Sequence, residues 1–243
     1  MQNLFNSVFA IINSRNKIDI SDDFTYRLTQ VNPGMMNSGN LHLFDYAIKN
    51  LPTDDPILEI GAFMGLSTNL ISYYKLKNNK KNRFITCDKW DYSFKGLGSK
   101  KLGYSNITGE DWGKYVKECF LRNVAFFSKG DLPIVIQEYS NSFFDLWESN
   151  QNCKSLFGEE IQLGGPFSFC FIDGNHEYEF VKDDFLHCDA HLVNKGFIMF
   201  DDSSKFKGSP GVKRLIKELK ENNTFGNKYE IVSINPNYLI KKL

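Results

Sequence analysis

The sequence has no surplus of charge of either sign, with 29 Lys and Arg against 29 Asp and Glu. A nucleic-acid surface needs a clustered basic excess, so this balance argues against a nucleic-acid partner. It also lacks any CxxC pair: the five cysteines are scattered at Cys87, Cys119, Cys153, Cys170 and Cys188. An odd, dispersed set reads as reduced thiols in a cytoplasmic protein, several of them buried, and not as a disulfide framework. No apolar run reaches the ~20 residues of a membrane span, so no membrane partner is expected. Residues 4–12 are fairly apolar, but no basic stretch precedes them, Asn6 and Ser7 interrupt them, and no cleavage site follows. An amphipathic helix is expected there, not a signal peptide. Repeats and Pro/Ser-rich linkers are absent too, so the 243 residues are read as one domain, 1–243.

What is present is an alternation of short apolar runs with helix-period segments. Residues 57–62 (ILEIGA) are apolar and end in glycine, the pattern of a buried parallel strand. A helix follows from residue 67, with Ser67 or Thr68 available to cap it. Further strands are expected at 83–88, 134–139, 167–173 and 196–201. Between the last two, residues 177–192 place Val181, Phe185, Cys188 and Leu192 on one helical face. Another helix is expected at 212–219, then strands at 229–234 and 238–240. Only residues 235–237 join those two, which permits an antiparallel hairpin and forbids a parallel crossover. The fold class is therefore α/β: a mostly parallel sheet closed by a C-terminal antiparallel hairpin, with helices on both faces. Residues 1–40 form an N-terminal helical segment. Two stretches break the alternation, 89–130 with one helix from 111 to about 127, and the irregular 147–166. Insertions of this kind beside an α/β crevice either shape a substrate site or decorate the surface.

The turn Glu59-Ile-Gly61-Ala-Phe63-Met-Gly65-Leu-Ser67 carries the first chemical signal. Gly61 and Gly65 let the backbone turn sharply and approach a ligand. Their spacing is not GxGxxG, and the lysine of a phosphate-binding loop is missing, so a ligand without a phosphate is expected. Asp88 ends the next strand, where an acid accepts both hydroxyls of a ribose. Glu59 precedes the turn, where its charge suits a cation such as a sulfonium.

The second signal is Asp173-Gly-Asn-His176 at the end of one strand and Asp201-Asp202 at the end of the next. Neighbouring strand ends bring three carboxylates into one small space, and a hard divalent cation such as Mg²⁺ is the natural counter-charge. Transfer to a hydroxyl oxygen needs that hydroxyl deprotonated. His176, three residues past Asp173, is placed to be the base.

ILEIGAFMGLS resembles the first motif of class I methyltransferases that use S-adenosylmethionine (SAM), whose fold is Rossmann-like with seven strands. It is especially similar to the small cation-dependent O-methyltransferases of the catechol O-methyltransferase type. The resemblance implies that Glu59, Gly61, Phe63 and Gly65 line the methionine end of SAM and that Ser67 binds its carboxylate. Asp88 matches the family's second-strand acid, and Ser140 takes the place of a serine beside the adenine. Asp173 closes the fourth strand and Asp201-Asp202 the fifth, the family's metal ligands, with Asp173 also beside the donor. At the family's lysine base this sequence has His176. The string IDGNHEYEFVKDDF is similar to a bacterial branch with Asp-Gly-x-His-x-Tyr that acts on sugars and other natural products. The expected partner is accordingly a small-molecule acceptor, with insertions 89–130 and 147–166 shaping its site; a homo-oligomer is compatible with the sequence.

Rival readings keep the fold and SAM but drop the metal, direct the methyl to nitrogen, or leave a SAM- or nucleotide-binding module without catalysis. His187 and His191, four apart, have a metal-ligand spacing, but Asp183, Asp184 and Asp189 place them beside a solvated face. Trp90 suits packing on the donor or acceptor, or under a lid. Residues 205–213 form a basic loop, and residues 32–40 a turn-rich segment that either, by resemblance, folds over the donor or is a plain loop before a helix at Leu41.

Overall fold

A computed structural model describes residues 22–92, 100–205 and 208–243. The apolar stretch at 4–12 lies outside them, as do two residues of the basic loop. The elements run α1 (Asp23–Val31), α2 (Gly39–Lys49), β1 (Ile57–Ile60), α3 (Leu66–Lys77), β2 (Phe84–Cys87), α4 (Gly109–Phe127) and β3 (Ile134–Ile136). Then come α5 (Ser140–Glu148), β4 (Asn152–Lys154), β5 (Glu160–Gln162), β6 (Phe167–Ile172), α6 (Tyr178–His191), β7 (Leu192–Phe200) and α7 (Pro210–Glu221). A single kinked turn, α8 (Thr224–Asn227), leads to β8 (Tyr229–Ile234) and β9 (Tyr238–Lys242).

Seven strands form one sheet in the order β3-β2-β1-β6-β7-β9-β8. The first five are parallel, and β9 is antiparallel to both β7 and β8. The expected sheet and terminal hairpin are both present. Strand alternation divides the core. Leu58, Ile60, Cys170, Ile172, Ile198 and Phe200 face α5, α6 and α7. Ile57, Phe169, Phe171, Phe197 and Met199 face α1, α2 and α3. Each fully buried side chain of this size contributes roughly 1.5–3 kcal/mol, so the two layers hold together without a crosslink. All five cysteines are free thiols. By the same period of two, Glu59 falls on the side of Ile57 and is delivered beneath α3.

The sequence reading differs from the structure at four places. The N-cap of α3 is Gly65 at φ 88°, not Ser67 or Thr68, and no side chain caps that helix. The stretch 147–166 contains a small hairpin, β4 with β5. Its loop pairs with the free edge of β3, Leu156 N–H donating to Val135 O at 3.0 Å. Trp147 lies in the last turn of α5 and is 1 % exposed, so it belongs to the core and not to an insertion. Finally, β7 starts at Leu192, ahead of the strand expected from 196. Among the described residues no helix is long and apolar enough to cross a membrane.

Candidate active site

The order β2-β1-β6 places the sheet's topological switch at the carboxyl ends of β1 and β6, where open α/β sheets bind ligands. The glycine turn leaves β1 here. A Cβ on Gly61 would stand 2.1 Å from the Asp173 carbonyl oxygen, and Gly61 has φ 86°, so only glycine fits. The turn and the end of β6 are therefore in direct contact. Gly65 is pressed in turn by Val124 and Phe120 of α4.

Phe63 takes φ 45°, a conformation that costs a non-glycine residue about 1 kcal/mol or more. Both of its backbone groups are held: its N–H donates to Asp88 Oδ2 at 3.0 Å, and its carbonyl accepts from Trp90 Nε1 at 2.8 Å. Asp88 also accepts from Ala62 N–H at 2.8 Å and Trp90 N–H at 2.7 Å. Burial raises its pKa and the three amides oppose the rise. Three backbone donors leave about one of four lone-pair sites for a ligand, so Asp88 chiefly organises the turn. Trp90 is 5 % exposed and packs on Phe120, which makes it part of the wall.

Glu59 is fully buried. Its Oε2 accepts from Thr68 Oγ1 at 2.6 Å, and Oε1 has no partner. Burial pushes its pKa up to about 7, with Ser67 and Thr68 hydroxyls pulling the other way. No side chain caps the start of α3, which follows directly, and such a helix start suits an anion.

The second cluster is built around His176. Its Nε2 lies 3.3 Å from Asp173 Oδ1 and its Nδ1 3.4 Å from Asp202 Oδ2. The hydrogen bond with Asp173 raises the histidine's pKa, with burial opposing and the charges of Asp173, Asp202 and Asp201 adding to the rise. Burial lifts the Asp173 carboxyl well above the carboxylate range, against the pull of His176. Asp201 is 3 % exposed, and its Oδ1 accepts from Asn40 Nδ2 at 2.7 Å and Asn237 Nδ2 at 2.5 Å. Burial raises its pKa, with the Asn40 bond opposing.

Sequence reasoning had no means of finding Asn40 and Asn237, which carry no motif and come from opposite ends of the chain. Among the described residues no group of three His, Cys, Asp or Glu side chains is arranged to hold a metal ion. The expected Mg²⁺ site at Asp173, Asp201 and Asp202 does not fit this arrangement. One carboxylate is engaged by two carboxamides, and an imidazole stands between the other two, so the three acids do not converge on one cation position. His187 and His191 both turn to Glu148, at 3.3 and 3.5 Å, with His187 stacked on Phe144. Asp184, expected on the solvated face of α6, is instead 1 % exposed. Three residues after Val181 and four before Cys188, it shares their inward face.

No curated protein matches this sequence. Solved structures match its fold over nearly the whole length. SAH-bound PaMTH1 of Podospora anserina aligns with a TM-score of 0.58 and 12 % identity, covering 98 % of this chain and 95 % of that one. The O-methyltransferase from Bacillus cereus in complex with SAH gives 0.51 and 15 %, covering 100 % of both chains. TomG from Streptomyces achromogenes, an O-methyltransferase involved in tomaymycin synthesis and held with SAM, gives 0.51 and 14 %, covering 100 % and 98 %. At such identities the likeness is one of fold. The family model described as a methyltransferase domain matches residues 58–203, from β1 through the acids that end β7, and the chain belongs to that family.

Proposed function

We propose that this enzyme transfers the methyl group of SAM to a hydroxyl oxygen of a small molecule, a sugar or other natural product, with His176 as the base. One observation carries the reading: the Gly61 turn lies against the Asp173 backbone, so the donor turn and the His176 cluster open into one crevice. The neighbours named above, solved with SAM or SAH, support the donor, and TomG supports a natural-product acceptor.

When bound, SAM supplies an electrophilic methyl on its sulfonium. Glu59 and Ser67 hold the amino-acid end, the start of α3 adding open amides for the carboxylate. Asp88 receives a ribose hydroxyl, and Ser140, the first residue of α5, borders the adenine. Asp173 fixes His176 through Nε2. Asp202, 38 % exposed, yields its place at Nδ1 to the acceptor hydroxyl. Nδ1 takes the hydroxyl proton, the oxygen forms its bond to the methyl carbon, and the carbon–sulfur bond breaks with its electron pair on sulfur. Asp173, Asp201 and Asp202 stabilise the imidazolium formed. No step requires a metal ion.

The test is transfer of label from [methyl-³H]SAM to nucleotide sugars and hydroxylated aromatics, with and without EDTA. Label should appear in a hydroxyl-bearing product and persist in chelator. Label on nitrogen would overturn the oxygen acceptor, and loss of turnover in EDTA would overturn the metal-free route.

A further inference from the structure

Ser209 begins α7 yet does not cap it. A serine at a helix start ordinarily accepts from one of the first helical amides, a bond worth about 1 kcal/mol. Here no side-chain cap forms, and Pro210 follows as the first helical residue. The Ser209 hydroxyl instead donates to the His176 carbonyl oxygen at 3.2 Å, 33 residues back along the chain. Its backbone N–H donates to the Asp202 carbonyl oxygen at 2.8 Å. One residue thus holds the backbones of both partners in the 3.4 Å contact between His176 Nδ1 and Asp202 Oδ2.

Two glycines allow this close approach. A Cβ on Gly211 would stand 2.2 Å from the His176 carbonyl oxygen, and one on Gly208 would stand 2.1 Å from that of Asp202. Asp202 takes φ 47°, which costs a non-glycine residue about 1 kcal/mol or more and persists only where its surroundings hold it. The last paired residues of β6 and β7 are Ile172 and Phe200, so the sheet ladder stops short of His176 and Asp202. Ser209 bridges the two connections beyond that ladder.

We infer that Ser209 is a positioning residue for the base, fixing the space between His176 Nδ1 and Asp202 into which the acceptor hydroxyl enters. The inference rests on the reading of His176 as the base. With the Asp202 backbone held, its carboxylate can swing away from Nδ1 without the chain following, while the imidazole keeps its place on Asp173.

Nitrogen NMR of the full chain carrying ¹⁵N-histidine tests it without any ligand. His176→Ala identifies the His176 signals among those of the four histidines. At one fixed pH, Ser209→Ala should shift the Nδ1 resonance, and Ser209→Thr, which keeps the hydroxyl, should restore it. Ser209→Ala removes no helix cap, since none is made, so α7 keeps its start. An unmoved resonance in Ser209→Ala, or a shift that Ser209→Thr does not restore, would overturn the inference. Methyl transfer to a nucleotide sugar or hydroxylated aromatic that takes up label is the second readout. Losing one oriented hydrogen bond should slow transfer about tenfold in Ser209→Ala. SAH affinity by calorimetry should stay within about twofold, because the donor site is a separate contact. In a His176→Ala background Ser209→Ala should slow transfer no further, since the base it acts through is gone. A multiplied loss there, or weakened SAH binding, would mark a merely structural role and overturn the inference. Unchanged transfer in His176→Ala would instead strike the base reading itself, while the resonance still decides whether Ser209 fixes the imidazole.

Discussion

Asn237 donates its side-chain amide to Asp201 Oδ1 at 2.5 Å, tying the turn of the terminal hairpin to the acid at the end of β7. The same nitrogen donates to Asn40 Oδ1 at 3.0 Å, and the Asn237 oxygen accepts from Ser203 N–H at 3.0 Å and Ser204 N–H at 3.1 Å. Asn237 is fully buried. Asn237→Ala would leave two backbone amides, the Asn40 side-chain oxygen and one carboxylate short of partners, at about 1–3 kcal/mol each. A stability loss of about 3 kcal/mol or more is expected in urea melts. A loss below about 1 kcal/mol would show that the network is not what secures this strand end.

Glu59 gives a pH signature. Its folded pKa of about 7 stands above its ordinary 4.5, so the folded state favours the proton. That contribution is fully present below pH 4.5 and is lost as pH rises through 7. Glu59→Gln should therefore be more stable than wild type at pH 8, by about 1–3 kcal/mol, while binding SAH more weakly. An ammonium beside Glu59 favours the carboxylate, so SAH binding near pH 6.5 should release protons. Calorimetry in buffers of different ionisation heat reads this directly, and equal proton release in wild type and Glu59→Gln would exclude Glu59 as the source.

Gly61→Ala places a methyl 2.1 Å from the Asp173 carbonyl oxygen at φ 86°. Backbone is in the way, so the strain cannot relax through a side chain. The variant should lose about 3 kcal/mol or more, in line with the large costs of strain and overpacking together. Near-wild-type melting would mean that the turn and β6 are not in contact.

The sheet was legible where strands are long and apolar. The strands expected at 57–62 and 167–173 form at Ile57–Ile60 and Phe167–Ile172 because buried parallel strands need no polar face, and Asp88, Asp173 and Asp201 just past β2, β6 and β7 mark the ligand edge. The β4–β5 hairpin was not legible, since three-residue strands of mixed polarity carry no period. The site was half visible. The structure brings His176 to Asp173 and Asp202, as the sequence expected, but the side chains that hold Asp201 were not legible. Asn40 and Asn237 stand 197 residues apart and meet only through the fold. Asp184 was misplaced because the acidic side of α6 was judged by composition, whereas its phase with Val181 and Cys188 already pointed inward.

His176 must be neutral to act as base, and Asp173 holds its pKa above 6.5. The methyl-transfer rate should fall as pH drops through that raised value, giving an acid limb with a midpoint above 6.5. His176→Ala should cut the rate about 10²–10⁴-fold with little change in SAH affinity. A flat profile between pH 6 and 8 would remove His176 from the proton transfer.

The central claim is that the turn from Glu59 to Ser67 holds SAM. Titrating wild type with SAH and, separately, with NAD tests it most directly. Saturable one-to-one SAH binding, weakened by Glu59→Gln, with no response to NAD, is the predicted result. Tight NAD binding without a response to SAH would contradict it.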